Sequence, residues 1–145
     1  MRTPEVLLVD DNPADSDLTR EVLSRHSCPS HISSVANGME AMAFLRRQGK
    51  YTNAELPDLV ILDLSLPGKD GAAVLAEVKA DPVLHTIPVA IFSTSEAQRD
   101  ILRSYELGAN CYVSKPGNLR DFISAVTSLV EFWFVLARLP REEKR

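Results

Sequence analysis

Four short apolar runs each end on residues that could do chemistry. Asp10 and Asp11 close the run 6–9, Asp63 closes 59–62, Ser93 closes 89–92, and Lys115 with Pro116 lies just past 111–113. Three carboxylates, a hydroxyl and an ammonium suit a divalent metal and a phosphoryl group. Hard oxygen donors favour Mg²⁺, and Asp10, Asp11 and Asp63 would supply them, with the backbone carbonyl of Ser65 as a further oxygen. Asp63 is the candidate nucleophile, because a carboxylate can take a phosphoryl group as an acyl phosphate. Lys115 is the balancing cation, able to pair with Asp63 or with a phosphoryl oxygen. Ser93 offers a hydroxyl to the same oxygens. Singly, each is ordinary: a strand-end aspartate caps a loop, and a lysine is usually solvated. Together they describe one pocket.

Positioning such a pocket requires strands whose carboxyl ends meet at one edge of a sheet. The apolar runs 6–9, 32–35, 59–62, 89–92 and 111–113 read as strands, on length and flanking turn residues. Helical patterns fill the intervals: one N-capped by Asn12 with Pro13 at its first position, then 39–47, 71–79, 97–107 and from 118 onward. Leu18, Val22 and Leu23 are expected on the core face of the first helix. Segments 50–57 and 80–88 read as turn-rich connections. Five strands alternating with five helices imply a parallel sheet covered on both faces. In such sheets ligands bind beyond the carboxyl ends of the strands.

The bulk numbers fit one domain. The chain has 145 residues, 45% of them hydrophobic and 25% charged, ordinary for a globular protein. A net charge of -4 argues against broad electrostatic binding of nucleic acid. No apolar stretch approaches the ~20 residues of a membrane span, and the N-terminus carries no secretory pattern. Cys28 and Cys111 have no metal-ligand or redox spacing and read as reduced thiols of a cytoplasmic protein.

The set of motifs resembles the receiver domain of two-component response regulators over about residues 5–130. The matching residues are Asp10 and Asp11 as the acidic pair, Asp63 as phosphoacceptor, Ser93 as switch hydroxyl, Tyr112 as switch aromatic, and Lys115-Pro116, with Leu66 to Gly71 as the turn after the acceptor. The resemblance implies an α/β, flavodoxin-like (βα)5 fold, a doubly wound five-stranded parallel sheet of strand order 2-1-3-4-5. It implies Mg²⁺, a sensor histidine kinase as partner, and phosphotransfer without an enzyme's turnover. Leu64 to Pro67, Ser93 to Ser95, Ser104 to Leu107 and Ala109 to Pro116 are similar to single-domain regulators partnered with cyanobacterial phytochrome kinases. That implies a stand-alone regulator, a phytochrome-type kinase and a homodimer. Thr94 departs from the wider pattern, where Ala or Gly is usual, and sits where it could control access to the pocket.

Two other functions meet specific objections. A phosphatase with an aspartyl-phosphate intermediate wants an acid two residues after its nucleophile, and Ser65 stands there. A flavodoxin-like cofactor binder wants a hydroxyl- or glycine-rich loop after the first strand, whereas Asp10 to Asp15 would repel phosphate. In the last helix, Leu119, Phe122, Ile123, Val126, Val130 and Trp133 form a stripe expected to pack on the sheet. Beyond it the chain is apolar nearly all round, so Phe132, Trp133, Phe134 and Val135 are assigned to an interface. The domain is expected to span 1–136, with a solvated charged tail at 137–145.

Overall fold

The computed structural model describes residues 3–140. Five strands, β1 (Glu5–Val9), β2 (His31–Val35), β3 (Leu59–Leu62), β4 (Val89–Ser93) and β5 (Cys111–Ser114), form one parallel sheet in the order β2-β1-β3-β4-β5. Between and after them run α1 (Pro13–Arg25), α2 (Gly38–Leu45), α3 (Gly71–Ala80), α4 (Gln98–Glu106) and α5 (Leu119–Val130). A short 3-10 turn, Gly49–Tyr51, lies in the connection expected to be turn-rich. This is the flavodoxin-like order anticipated from the sequence.

Alternate strand residues feed two cores. Leu7, Val9, Val60 and Leu62 join Met42, Phe44, Val74, Leu75 and Val78 beneath α2 and α3. Val6, Leu8, Leu59 and Ile61 join Leu23, Phe122, Val126 and Trp133 beneath α1 and α5. Both faces being covered, β3 and β4 are buried along their whole length, which is why they read as unbroken apolar runs. The edge strand β2 has only Val35 buried and tolerates Ser33 and Ser34.

Four helices begin on an Asx cap at the carboxyl edge of the sheet. Asn12 accepts from the Asp15 N–H, Asn37 from Glu40, Asp70 from Ala73 and Asn118 from Asp121, at 3.1, 2.8, 2.8 and 2.8 Å. Each such cap is worth about 1 kcal/mol. Only α4 starts without a side-chain cap. Leu23 is buried on α1 as expected, with Leu18 and Val22 half-buried beside it.

The last helix departs from expectation. Leu119 and Ile123 are 63% and 38% exposed, whereas Leu129, outside the predicted stripe, is buried. The buried line is Phe122, Val126, Leu129, Val130 and Trp133, so the core face is rotated from the one anchored on Leu119. After Val130 the chain continues as a π-helical segment, Glu131–Leu136. That wider turn puts Trp133 in the core and Phe134 partly against it, while Phe132, Val135 and Leu136 face outward. Trp133 therefore lies in the core, where the stripe had it, and not with the exposed residues assigned to an interface, because it packs in one cluster with Leu23, Phe122 and Val126. Ala137 and Leu139 also pack on this core, so burial runs past the expected boundary at 136. The tail from 141 onward lies outside the described residues.

Candidate functional site

Backbone hydrogen bonds carry the ladder one residue past several strands and fix the pocket at the sheet's carboxyl edge. The Asp10 N–H donates to the Val35 carbonyl at 3.1 Å, Asp63 to Val9 at 2.9 Å, and Lys115 to Ser93 at 2.7 Å. Asp10, Asp63, Ser93 and Lys115 are all buried, at 5, 6, 0 and 9% exposure, while Asp11 is exposed. The residues singled out in the sequence at three strand ends thus meet, although 105 positions separate Asp10 from Lys115.

Each buried carboxylate divides its oxygens in the same way. Asp10 Oδ1 accepts the Asn12 N–H at 2.9 Å and Asp63 Oδ1 accepts the Ser65 N–H at 3.1 Å. Their Oδ2 atoms accept from Lys115 Nζ at 2.8 and 2.9 Å. The third ammonium proton goes to Asp15 Oδ2 at 3.0 Å. Burial holds the Asp10 carboxyl above its ordinary pKa, against the lowering effect of the Lys115 and Asn12 bonds. Burial alone would depress Lys115, but its bonds to Asp10, Asp63 and Asp15 outweigh that and hold it above the usual lysine range.

Asp10, Asp11 and Asp63 can each bring one carboxylate oxygen within 4.8 Å of the others. Two buried acids and one exposed acid make an oxygen-only, half-open donor set, which fits a hard divalent cation that retains water. The loop after β3 is shaped around the acceptor position. A Cβ on Gly71 would lie 2.2 Å from the Asp63 carbonyl oxygen, and Gly68 has φ +70°, so both places require glycine. Ser65 is exposed in this loop.

Around the pocket, Ser93 Oγ is fully buried with no hydrogen-bond partner among the described residues. Thr94 is exposed immediately after it. Tyr112 lies inward against the first core, its hydroxyl donating to the Ser95 carbonyl at 2.9 Å. Its N–H donates to the Tyr105 hydroxyl at 3.1 Å, linking β5 to α4. The Lys115-Pro116 peptide is trans. Sequence reasoning missed Asp15. The available signal was its place three residues after the Asn12 cap, which returns the first turn of α1 to the strand end.

The response regulator receiver domain family matches residues 6–127, and the chain belongs to that family. It is 44% identical over 135 residues to response regulator Rcp1 of Synechocystis sp., covering 93% of this chain and 92% of Rcp1. The structure of the phosphorylated cyanobacterial phytochrome response regulator RcpA superposes with a TM-score of 0.94 at 47% identity, over 97% of this chain and 100% of RcpA. That of the Mn²⁺-bound form of Rcp1 gives 0.92 at 43% identity, over 95% and 99%. The protein is a response regulator, and its family implies a histidine kinase partner. Among the described residues no helix is long and apolar enough to cross a membrane.

Proposed function

We propose that Asp63 accepts a phosphoryl group from the phosphohistidine of a phytochrome-type kinase, and that the loaded protein signals through protein contacts from the cytoplasm. The observation that carries this reading is the meeting of Asp10, Asp63 and Lys115 at hydrogen-bond distance, one ladder position from the unpartnered Ser93 hydroxyl. The likeness to phytochrome response regulator RcpA supports the kinase type. Two free cysteines fit the cytoplasmic location.

In this mechanism the Asp63 carboxylate attacks phosphorus in line. The new O–P bond forms as the P–N bond to histidine breaks, and the imidazole leaves with the electron pair. The Ser65 N–H holds one Asp63 oxygen in place during attack. Lys115 transfers the N–H that it gives Asp63 to a phosphoryl oxygen. Mg²⁺, held by Asp10, Asp11, Asp63 and the Ser65 carbonyl, would neutralise charge on the phosphoryl oxygens. Ser93 then donates its hydroxyl to the phosphoryl group, and Tyr112 follows by exchanging its Ser95 bond for a more buried position. Thr94 narrows the approach for both donor and water. Phe132 and Val135, flanked by half-buried Phe134, form the surface on which a second copy docks.

Asp63→Asn tests the assignment. With acetyl phosphate and Mg²⁺ the wild type should incorporate phosphate and the variant should not, while both keep the same far-UV spectrum. Equal, Mg²⁺-dependent incorporation by the variant rejects Asp63.

A further inference from the structure

Asp15 has no part in the reading above, yet the fold places it with care. Its backbone N–H is held by Asn12 Oδ1 at 3.1 Å, and its carbonyl accepts the hydroxyl of buried Thr19 at 2.8 Å. The first turn of α1 is thereby fixed. Its side chain, 27% exposed, puts Oδ2 3.0 Å from Lys115 Nζ. Since Asp63 Oδ2 is 2.9 Å from the same nitrogen, the two carboxylate oxygens lie no more than 5.9 Å apart. Asp15 is not among the three acids that converge on a possible metal position. Among the described residues its carboxylate bonds only the ammonium.

The charge balance gives this contact a direction. Asp10, Asp11, Asp15 and Asp63 face a single lysine, so one acid beyond the metal-binding three keeps the pocket negative even after a divalent cation enters. A negative pocket attracts the cation and opposes a phosphoryl group. We propose that Asp15 is a positioning residue that occupies one Lys115 donor, offsets the ammonium's charge, and so sets the pocket against the phosphoryl group and in favour of the metal. The inference rests on Asp63 as phosphoacceptor. Removing the Asp15 charge should therefore move the two affinities in opposite directions, by about tenfold each, the scale of one screened charge at ~6 Å.

The probes are beryllofluoride, a phosphoryl mimic, titrated at saturating Mg²⁺ with ¹⁹F NMR detection, and Mg²⁺ alone titrated by amide NMR. Asp15→Asn should bind beryllofluoride more tightly and Mg²⁺ more weakly than wild type. Asp15→Ser should show the same signs and serves if the amide variant folds poorly. Asp17→Asn removes the same charge from an exposed position two residues along the helix and should leave both affinities near wild type. A purely structural role for Asp15 would lower both affinities together, and that result overturns the inference. So does an Asp15→Asn affinity for beryllofluoride within twofold of wild type. Failure of the wild type itself to bind beryllofluoride removes Asp63 as acceptor and the inference with it.

Discussion

Replacing Lys115 by methionine keeps the buried stem and deletes the charge, which isolates the electrostatic work of the pocket. In the native protein the ammonium, with a side chain 3% exposed, pairs with two buried carboxylates and one partly buried. It also sits 5.9 Å from the Phe92 ring centroid. Removing one partner of a buried pair typically destabilises by about 3–5 kcal/mol. The pocket can relieve the excess negative charge by protonating a carboxyl. From an ordinary pKa of ~3.9 that costs about 4 kcal/mol at pH 7, which caps the penalty. Lys115→Met should therefore lose about 3–4 kcal/mol at pH 7 without Mg²⁺, and roughly 10 °C in Tm. The pH dependence has a definite sign. The Lys115 pKa is raised by folding, so its contribution is complete below the ordinary lysine pKa and constant between pH 5 and 8 in the wild type. The Asp10 pKa is also raised, so its ionised form opposes folding and stability rises as pH falls through its titration. Without the lysine that titration moves upward, and the deficit should shrink from pH 8 to pH 5. Millimolar Mg²⁺ should also reduce it, since the unfolded chain has no assembled site. Urea denaturation at pH 5, 6.5 and 8, with and without Mg²⁺, measures all of this. A deficit below about 1 kcal/mol, indifferent to both pH and Mg²⁺, would mean that the ion cluster is not what the lysine supports.

Thr94→Ala should raise the rate of phosphorylation by small-molecule donors and shorten the acyl-phosphate lifetime, because the stiff branched side chain beside Ser93 narrows the in-line path. A phosphoprotein-gel time course at one Mg²⁺ concentration reads both rates, and slower loading by the alanine variant would show that access is not what Thr94 controls. Phe132→Ser combined with Val135→Ser should convert a dimer at tens of micromolar to monomer with a stability change within about 1 kcal/mol, since the two side chains are 48 and 60% exposed. Analytical ultracentrifugation of the intact chain as monomer, phosphorylated or not, rules out the dimer.

The strand ends were legible because each buried parallel strand is an unbroken apolar run that stops at a polar residue, so Asp10, Asp63 and Ser93 announce themselves by contrast. Lys115 was legible from the Lys-Pro step just past the short run 111–113, although β5 is only half-buried and ends on Ser114. Asp15 was not, because it lies on a helix where any acid near the N-terminus already has an adequate local explanation in the helix dipole. Only the return of α1 to the sheet edge brings it within reach of the lysine. The error in α5 has a different origin. A 3.6-residue stripe drawn from Leu119 assumes regular α-helix to the end, whereas the core contacts begin at Phe122 and the π-helical segment shifts the faces beyond Val130. Trp133, which the stripe did place on the core face, is buried there, and Phe132, outside the stripe, is exposed.

The bond from Lys115 to Asp10 spans 105 residues, and this bears on the order in which the chain acquires its structure. β1, β3 and β4 can associate before β5 is present, bringing Asp10 and Asp63 together with no counter-charge between them. During synthesis, which proceeds at about 5–20 residues per second, the acids up to Asp63 are made several seconds before their lysine. Contacts of such long range also tend to form late during refolding of the whole chain. Lys115 therefore reports completion: its arrival converts a self-repelling edge into a closed one, and until then a divalent cation is the natural substitute.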